Sequence, residues 1–282
     1  MAAASDPYIA QLAGTVWSFL NSEFVSALLG ALAGALAGAY GGARIVERQS
    51  VRKRQLEQVR ETNVAISLVL FVLNTTLQLK RQHFQKMIEV HKIDRERFDE
   101  IARQKGNRTF EFKADWETLP LTELPLQPLR EIIYARIDAP APTISLFAML
   151  VAVSGHLHAT VTQRNEFITA LQQGPQLTPK QRLDLYFGLR QQDGTTDARY
   201  PSMLTAISGY ADAAILFSAV LAERLIEHAQ AEAAKLGKGA PRVTEMDLKA
   251  AFAAGLVPDP EEYAEALKGV SIDALAALGK YR

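Results

Sequence analysis

The feature that most constrains this chain is an uncharged run of twenty residues between Glu23 and Arg44, with the sequence FVSALLGALAGALAGAYGGA. A helix needs about 20 mainly apolar residues to cross the ~30 Å hydrocarbon layer of a membrane. No Lys or Arg precedes Arg44, so the run lacks the basic region that opens a signal peptide. The sequence therefore predicts a single transmembrane helix over residues 23–43.

The charges on either side of this helix predict its orientation. Asp6 and Glu23 precede the span, and a cluster of basic residues follows it. Because basic residues collect on the cytoplasmic side, we expect the N-terminus outside a bacterial inner membrane and the C-terminal part in the cytoplasm. Residues 1–22 read as an amphipathic segment on the outer interface. The predicted contacts with the membrane surface are Trp17, Arg44, Arg48 and Arg52.

Small residues recur every four positions along the predicted span, so they share one helix face. Lipid tails are as apolar as leucine, so burying a leucine side chain against another helix gains little free energy in a membrane. Helix–helix contact there is favoured instead by small residues, because they let the two backbones approach closely. The face therefore predicts self-association, either as a multi-helix pore or as a pair of chains. Its residues are Ser26, Gly30, Gly34, Gly38 and Gly42.

The sequence of the rest of the chain predicts an all-α fold. Residues 44–103 contain no Pro or Gly and predict one long helix, or two with a break near Asn74–Thr76. We expect a helical cytoplasmic domain over 44–236 and a small helical subdomain over 237–282, joined by the linker GKGAPR.

Two more uncharged runs, 62–79 and 139–163, are interpreted as buried core helices. The first is flanked by basic residues at both ends, which fits poorly with crossing a membrane. The second contains two prolines and two histidines. Short apolar runs discriminate weakly between core and membrane, so entry of either run into the bilayer stays open.

No catalytic signature is present. The chain has no cysteine, which excludes disulfides, thiolate metal sites and cysteine nucleophiles. It also lacks the phosphate-binding loop, the GxSxG elbow and the HExxH metal motif. His156 and His158 are two apart and so point in different directions on a helix; we interpret each as a core histidine. We predict a protein without catalytic residues, metal or cofactor.

Two smaller features have structural interpretations. Asp212 lies among apolar residues in SGYADAAILF, and a buried acid needs a partner. We expect a structural ion pair with an arginine such as Arg136 or Arg164; the alternative is that Asp212 faces a ligand. In the irregular stretch 104–128, Phe110, Phe112 and Trp116 are expected to anchor the loop to its core.

The basic residues beyond the membrane carry the functional hypothesis. Residues 44–108 hold 15 Lys and Arg against 8 Asp and Glu, a balance of +7 in a chain whose net charge is zero. Pairing with acidic neighbours along the helix is the default for such a face. The excess indicates a site for an anionic ligand, such as a nucleotide or a short oligonucleotide. Its candidate residues are Lys80, Arg81, Lys86, Lys92 and Arg95.

The layout resembles the membrane effectors of bacterial anti-phage systems. The span GALAGALAGAYGGARIVERQ, followed by a large helical domain without catalytic residues, is similar to the channel component of the Hailong defence system. The resemblance implies subunits assembled into a channel under a helical cytoplasmic dome. It also implies that single-stranded DNA oligomers, made by a partner nucleotidyltransferase, hold the channel closed. It carries over no ligand-binding position.

Two functional classes remain open. The chain is either an oligomeric pore gated by an anionic ligand, or a membrane-anchored scaffold that self-associates and recruits protein partners. The lipid bilayer and further copies of the chain are partners in both classes.

Overall fold

The computed structural model describes residues 8, 23–104, 116–191, 193–265, 268 and 278–281. The prediction of an all-α fold is confirmed. No β-strand occurs in these ranges; an isolated bridge between Arg190 and Thr196 is the β-structure recorded there.

Seven α-helices are defined in the described residues. Helices α1 to α3 are Glu23–Leu79, Gln85–Arg103 and Leu126–Glu131. Helices α4 to α7 are Ala141–Gln173, Pro179–Phe187, Arg199–Leu236 and Lys249–Ala253. Two π-helical segments, Lys80–Phe84 and Ile132–Arg136, follow α1 and α3. Short 3₁₀ turns lie at Pro260–Tyr263 and Gly279–Tyr281.

The chain forms two compact units, Met1–Gln55 and Leu56–Arg282. In the first unit, residues 23–55 are helical throughout, because the helix-favouring residues Ala, Leu and Arg are frequent and no proline interrupts the sequence. Leu32, Leu36 and Tyr40 are exposed on this helix.

The second unit packs α4 and α6 along each other over one large core. The part of α1 after residue 56 adds Ile66, Val69 and Leu73 to this core. A second core gathers residues of the π segment, α2, the second half of α4, α5 and the first half of α6, including Phe84, Tyr186 and Tyr200. Both cores lie within residues 56–282.

Local sequence signals account for several helix ends. Thr178 forms a capping box with Gln181, and Pro179 stands in the first turn of α5. This helix ends at Gly188, whose φ of 63° a residue with a side chain rarely adopts.

No break occurs near Asn74–Thr76. Helix α1 continues to Leu79, and the irregularity lies just beyond it, in the π-helical segment Lys80–Phe84. A π segment inserts a residue into the helical hydrogen-bond pattern, and such segments frequently accompany functional sites. A single extra residue leaves no mark in the amino-acid composition, which explains why the sequence did not locate it.

The segment predicted as a separate subdomain, 237–282, belongs to the same compact unit as residues 56–236. Met246, Leu248, Leu256 and Tyr281 are buried in the large core beside residues of α1, α4 and α6. The polar linker composition of 237–242 therefore does not mark a boundary between two cores.

Three helical stretches are long and apolar enough to cross a membrane: Gly30–Arg103, Ala141–Gln173 and Arg199–Leu236. This property agrees with a membrane-associated protein. In the second stretch, Leu146, Phe147 and Leu150 are buried against the rest of the unit.

Candidate sites on the glycine face and the basic helix

Among the described residues, none covers the glycine face of α1. A Cβ atom placed on Gly30, Gly34, Gly38 or Gly42 would meet no described atom within 4 Å other than those of its own helical turns and chain neighbours. The backbone at Ser26 is helical, and its side chain lies outside the described residues. Four glycines of the predicted packing face thus form a smooth surface, available to another helix.

The basic residues predicted at the membrane surface are exposed. Arg44, Arg48 and Arg52 lie one helical turn apart on α1. Their spacing places their guanidinium groups along one side of the helix. Trp17 lies outside the described residues.

Three of the five predicted anion-binding residues form contacts within the protein. Lys80 Nζ lies 2.5 Å from Asp212 Oδ1 and donates to the carbonyl of Leu256 at 2.8 Å. Arg95 Nε lies 3.2 Å from Asp99, and its Nη1 donates to the carbonyl of Phe187 at 2.9 Å.

Lys92 is held more weakly: its ammonium lies 4.0 Å from Glu96, and both side chains are about two-thirds exposed or more. A pair of that kind contributes about 0–1 kcal/mol. Arg81 and Lys86 are exposed and form no hydrogen bond or ion pair within the described ranges.

The structure therefore separates the five predicted anion-binding residues into three groups. Lys80 and Lys92 line one cleft of about 360 Å³ together with Asp212 of α6. Of these five residues, Arg81 and Lys86 are exposed and have no partner in the described part of the chain. Arg95 contributes to packing around the second core, with its guanidinium 5.7 Å from the ring centre of Phe187.

Asp212 forms an ion pair, as predicted, but the predicted partners were wrong. Arg136 lies 3.6 Å from Glu61 and from Glu131, and Arg164 donates to the carbonyl of Glu117 at 2.8 Å. Lys80 takes their place because α2 and the π segment pack against α6. A partner 132 residues away cannot be read from local spacing.

The loop aromatic Trp116 anchors its segment, as predicted. Its ring contacts Tyr186 and Tyr200 edge-on, at centroid distances of 5.7 and 5.1 Å. Phe110 and Phe112 lie outside the described residues.

His91 belongs to the same aromatic cluster, which sequence reasoning missed. Its ring packs 4.9 Å from Tyr186, and Nε2 lies 3.0 Å from the Tyr186 carbonyl. Burial lowers the pKa of His91, with a smaller lowering from the charge of Arg95. Two effects raise the pKa: the hydrogen bond with the Tyr186 carbonyl, which is larger than the effect of Arg95, and the smaller effect of the Asp94 charge. The sequence signal that could have indicated this environment was the spacing of His91 and Arg95 at i and i+4 on α2.

The interpretation of His156 and His158 as core residues is wrong. Both are exposed on α4, and His156 stacks on Tyr210 at 5.3 Å. No group of three metal-ligating side chains occurs in the described residues.

A wider groove of about 500 Å³ lies between α4 and α6. Its lining includes Glu166, Phe167, Arg199 and Tyr210. Arg199 is already paired with Asp197 at 2.6 Å and lies over the Phe167 ring. The guanidinium holds the pKa of the Asp197 carboxyl below its usual value.

No protein-family profile, no curated protein and no solved structure matches the chain.

Proposed function

We propose that this protein is an oligomeric membrane pore. In this proposal, residues 23–43 cross a bacterial inner membrane with the N-terminus outside, and the unit 56–282 lies in the cytoplasm. The exposed positions of Arg44, Arg48 and Arg52 support that orientation, because basic residues accumulate on the cytoplasmic side of a span.

The open glycine face carries the proposal. Nothing within the described chain contacts the positions where Gly30, Gly34, Gly38 and Gly42 lack a side chain. In lipid, a smooth helix face of this kind is stabilised by packing against another helix, since apolar burial alone gives no advantage there. Copies of the same helix are the natural partners, and a ring of such helices encloses a pore.

The cytoplasmic unit would sense an anionic ligand. Exposed Arg81 and Lys86, without partners in the described ranges, favour an anion site on the basic helix. A nucleotide or a single-stranded DNA oligomer made by a partner nucleotidyltransferase fits this charge. A role in anti-phage defence is part of the same proposal and depends on the resemblance of layout.

The alternative is a membrane-anchored scaffold without conductance. It is favoured by the internal pairing of Lys80 and Arg95, which removes two predicted cations from ligand binding. Both functions need self-association of the membrane helix, so assembly alone does not separate them.

The test measures assembly and conductance on the same sample. Replacing Gly34 and Gly38 by Ile adds two branched side chains to the packing face, and we expect loss of the oligomer and of ion flux in liposomes. The matched control replaces Leu32 and Leu36 by Ile, which puts the same residues on the opposite face. A discrete wild-type oligomer without flux, with and without added DNA oligomers, would contradict the pore and favour the scaffold.

A further inference from the structure

The cleft beside the π segment combines charged groups with an apolar wall. It has a volume of about 360 Å³ and lies within the unit 56–282. Lys80, Ile88, Glu89 and Lys92 line one side of it, and Ala211 and Asp212 of α6 line the other. Its volume falls within the range of small-molecule sites.

The ion pair in this cleft has unused hydrogen-bonding capacity. An ammonium group carries three N–H donors, and Lys80 directs two of them to Asp212 and to the Leu256 carbonyl. Its third N–H has no acceptor among the described residues. Asp212 accepts through Oδ1, and its second oxygen receives no hydrogen bond from them either. The side chains are 14% and 23% exposed, so a molecule in the cleft can reach both.

The turn after α7 fixes the position of the Lys80 ammonium group before any ligand binds. Gly255 adopts a φ of +64°, its N–H donates to the carbonyl of Phe252, and the Leu256 N–H donates to that of Ala251. This turn after α7 holds the Leu256 carbonyl 2.8 Å from Lys80 Nζ. A group fixed before binding loses little entropy when a ligand arrives.

The charges of the cleft sum to zero. Lys80 and Lys92 oppose Asp212 and Glu89, and all four side chains line it. A simple anion bound at Lys80 is repelled by the neighbouring carboxylate of Asp212, and a simple cation bound at Asp212 is repelled by Lys80. A ligand carrying both charges is attracted by both groups.

We infer that this cleft binds a free α-amino acid with a large apolar side chain. Its carboxylate accepts the third N–H of Lys80, and its ammonium donates to the unused oxygen of Asp212. Its side chain packs against Ile88 and Ala211. This site is distinct from the exposed cations Arg81 and Lys86, and it requires neither the membrane helix nor conductance.

Three related probes test the need for both charges. Isothermal titration of the full-length protein in detergent uses phenylalanine, phenylalaninamide, which lacks the carboxylate, and 3-phenylpropionate, which lacks the ammonium. We expect phenylalanine to bind at least about tenfold more tightly than either analogue, because each analogue loses one charge-assisted hydrogen bond. Equal binding of 3-phenylpropionate, or no binding by any of the three, overturns the inference.

Variants locate the site. Asp212→Asn and Lys80→Gln should each weaken phenylalanine binding about tenfold or more, whereas Lys86→Gln, an exposed lysine outside the cleft, should leave it unchanged. Ser208→Phe fills the cleft and keeps both members of the ion pair, so it tests the site even where the charge variants fail to fold. Retained binding in Ser208→Phe, or an equal loss in Lys86→Gln, contradicts the assignment. The proposed pore can fail its flux test while this binding persists, and the reverse also holds.

Discussion

Tyr281 donates a hydrogen bond to the buried carboxylate of Glu223 at 2.6 Å, across 58 positions of the sequence. Its hydroxyl also lies 2.9 Å from the carbonyl of Met246, and Lys280 Nζ donates to the second oxygen of Glu223 at 2.7 Å. Glu223 is 2% exposed, so its charge depends on these partners. The contact joins the turn Gly279–Tyr281 to the centre of α6.

Removal of the Tyr281 hydroxyl should destabilise the unit 56–282. Tyr281→Phe leaves one oxygen of a buried carboxylate without its donor, and we expect a loss of about 1–3 kcal/mol in the free energy of unfolding. Chemical denaturation followed by circular dichroism measures it. Tyr134→Phe, at a tyrosine that is 50% exposed, serves as the control and should cost less. An equal effect of the two variants would contradict the assigned role of the hydroxyl.

The same contact predicts a loss of stability in alkali. Burial raises the pKa of Tyr281 above its usual 10.0, and the hydrogen bond to Glu223 raises it further. Because the folded pKa exceeds the unfolded one, the stabilisation is complete below pH 10 and is lost as pH rises toward the folded pKa. Tyr281→Phe should remove this part of the pH dependence, measured as melting temperature against pH. If the melting temperature of the variant falls with rising alkaline pH as steeply as that of the wild type, the role assigned to Tyr281 is contradicted.

The lowered pKa of His91 predicts a second effect of pH on stability, in the acidic range. Burial lowers its pKa below the usual 6.5, so the unfolded chain binds the proton more readily. Stability should therefore fall as pH drops below 6.5, until the folded pKa is passed. His91→Gln should reduce this fall, whereas His158→Gln, at an exposed histidine, should leave it intact. Denaturation midpoints between neutral and mildly acidic pH measure the difference.

The anion site on the basic helix is tested by charge reversal at Arg81 and Lys86. Arg81→Glu with Lys86→Glu should weaken binding of a short single-stranded DNA oligomer and reduce the salt dependence of that binding. Fluorescence anisotropy at several salt concentrations measures both. Lys180→Glu with Arg182→Glu makes the same change in net charge at exposed positions of α5. If both double variants bind alike, the specific site on the basic helix is refuted.

Orientation in the membrane can be mapped with engineered cysteines, because the chain contains none. We expect a membrane-impermeant maleimide to label Ala3→Cys in spheroplasts, and to label Lys238→Cys only after the membrane is permeabilised. Labelling at both positions without permeabilisation would contradict a single span with the N-terminus outside. Extraction of the wild-type chain by carbonate would contradict membrane insertion altogether.

Local signals in the sequence were sufficient for the helical class and for some helix ends. The start of α5 at Thr178 and Pro179 depends on neighbouring residues and their backbone preferences, so it can be predicted from the chain order. The glycine spacing of α1 is likewise a property of one helix and needs no tertiary contact.

The tertiary structure decided which charges remain available. Lys80 looks like Lys86 in the sequence, yet packing of the π segment against α6 brings Lys80 to Asp212 and leaves Lys86 exposed. Glu223 becomes a buried carboxylate for the same reason, because residues 279–281 return to α6. Pairings across 57 to 132 positions arise from the packing of distant helices, and no local spacing along the chain encodes them.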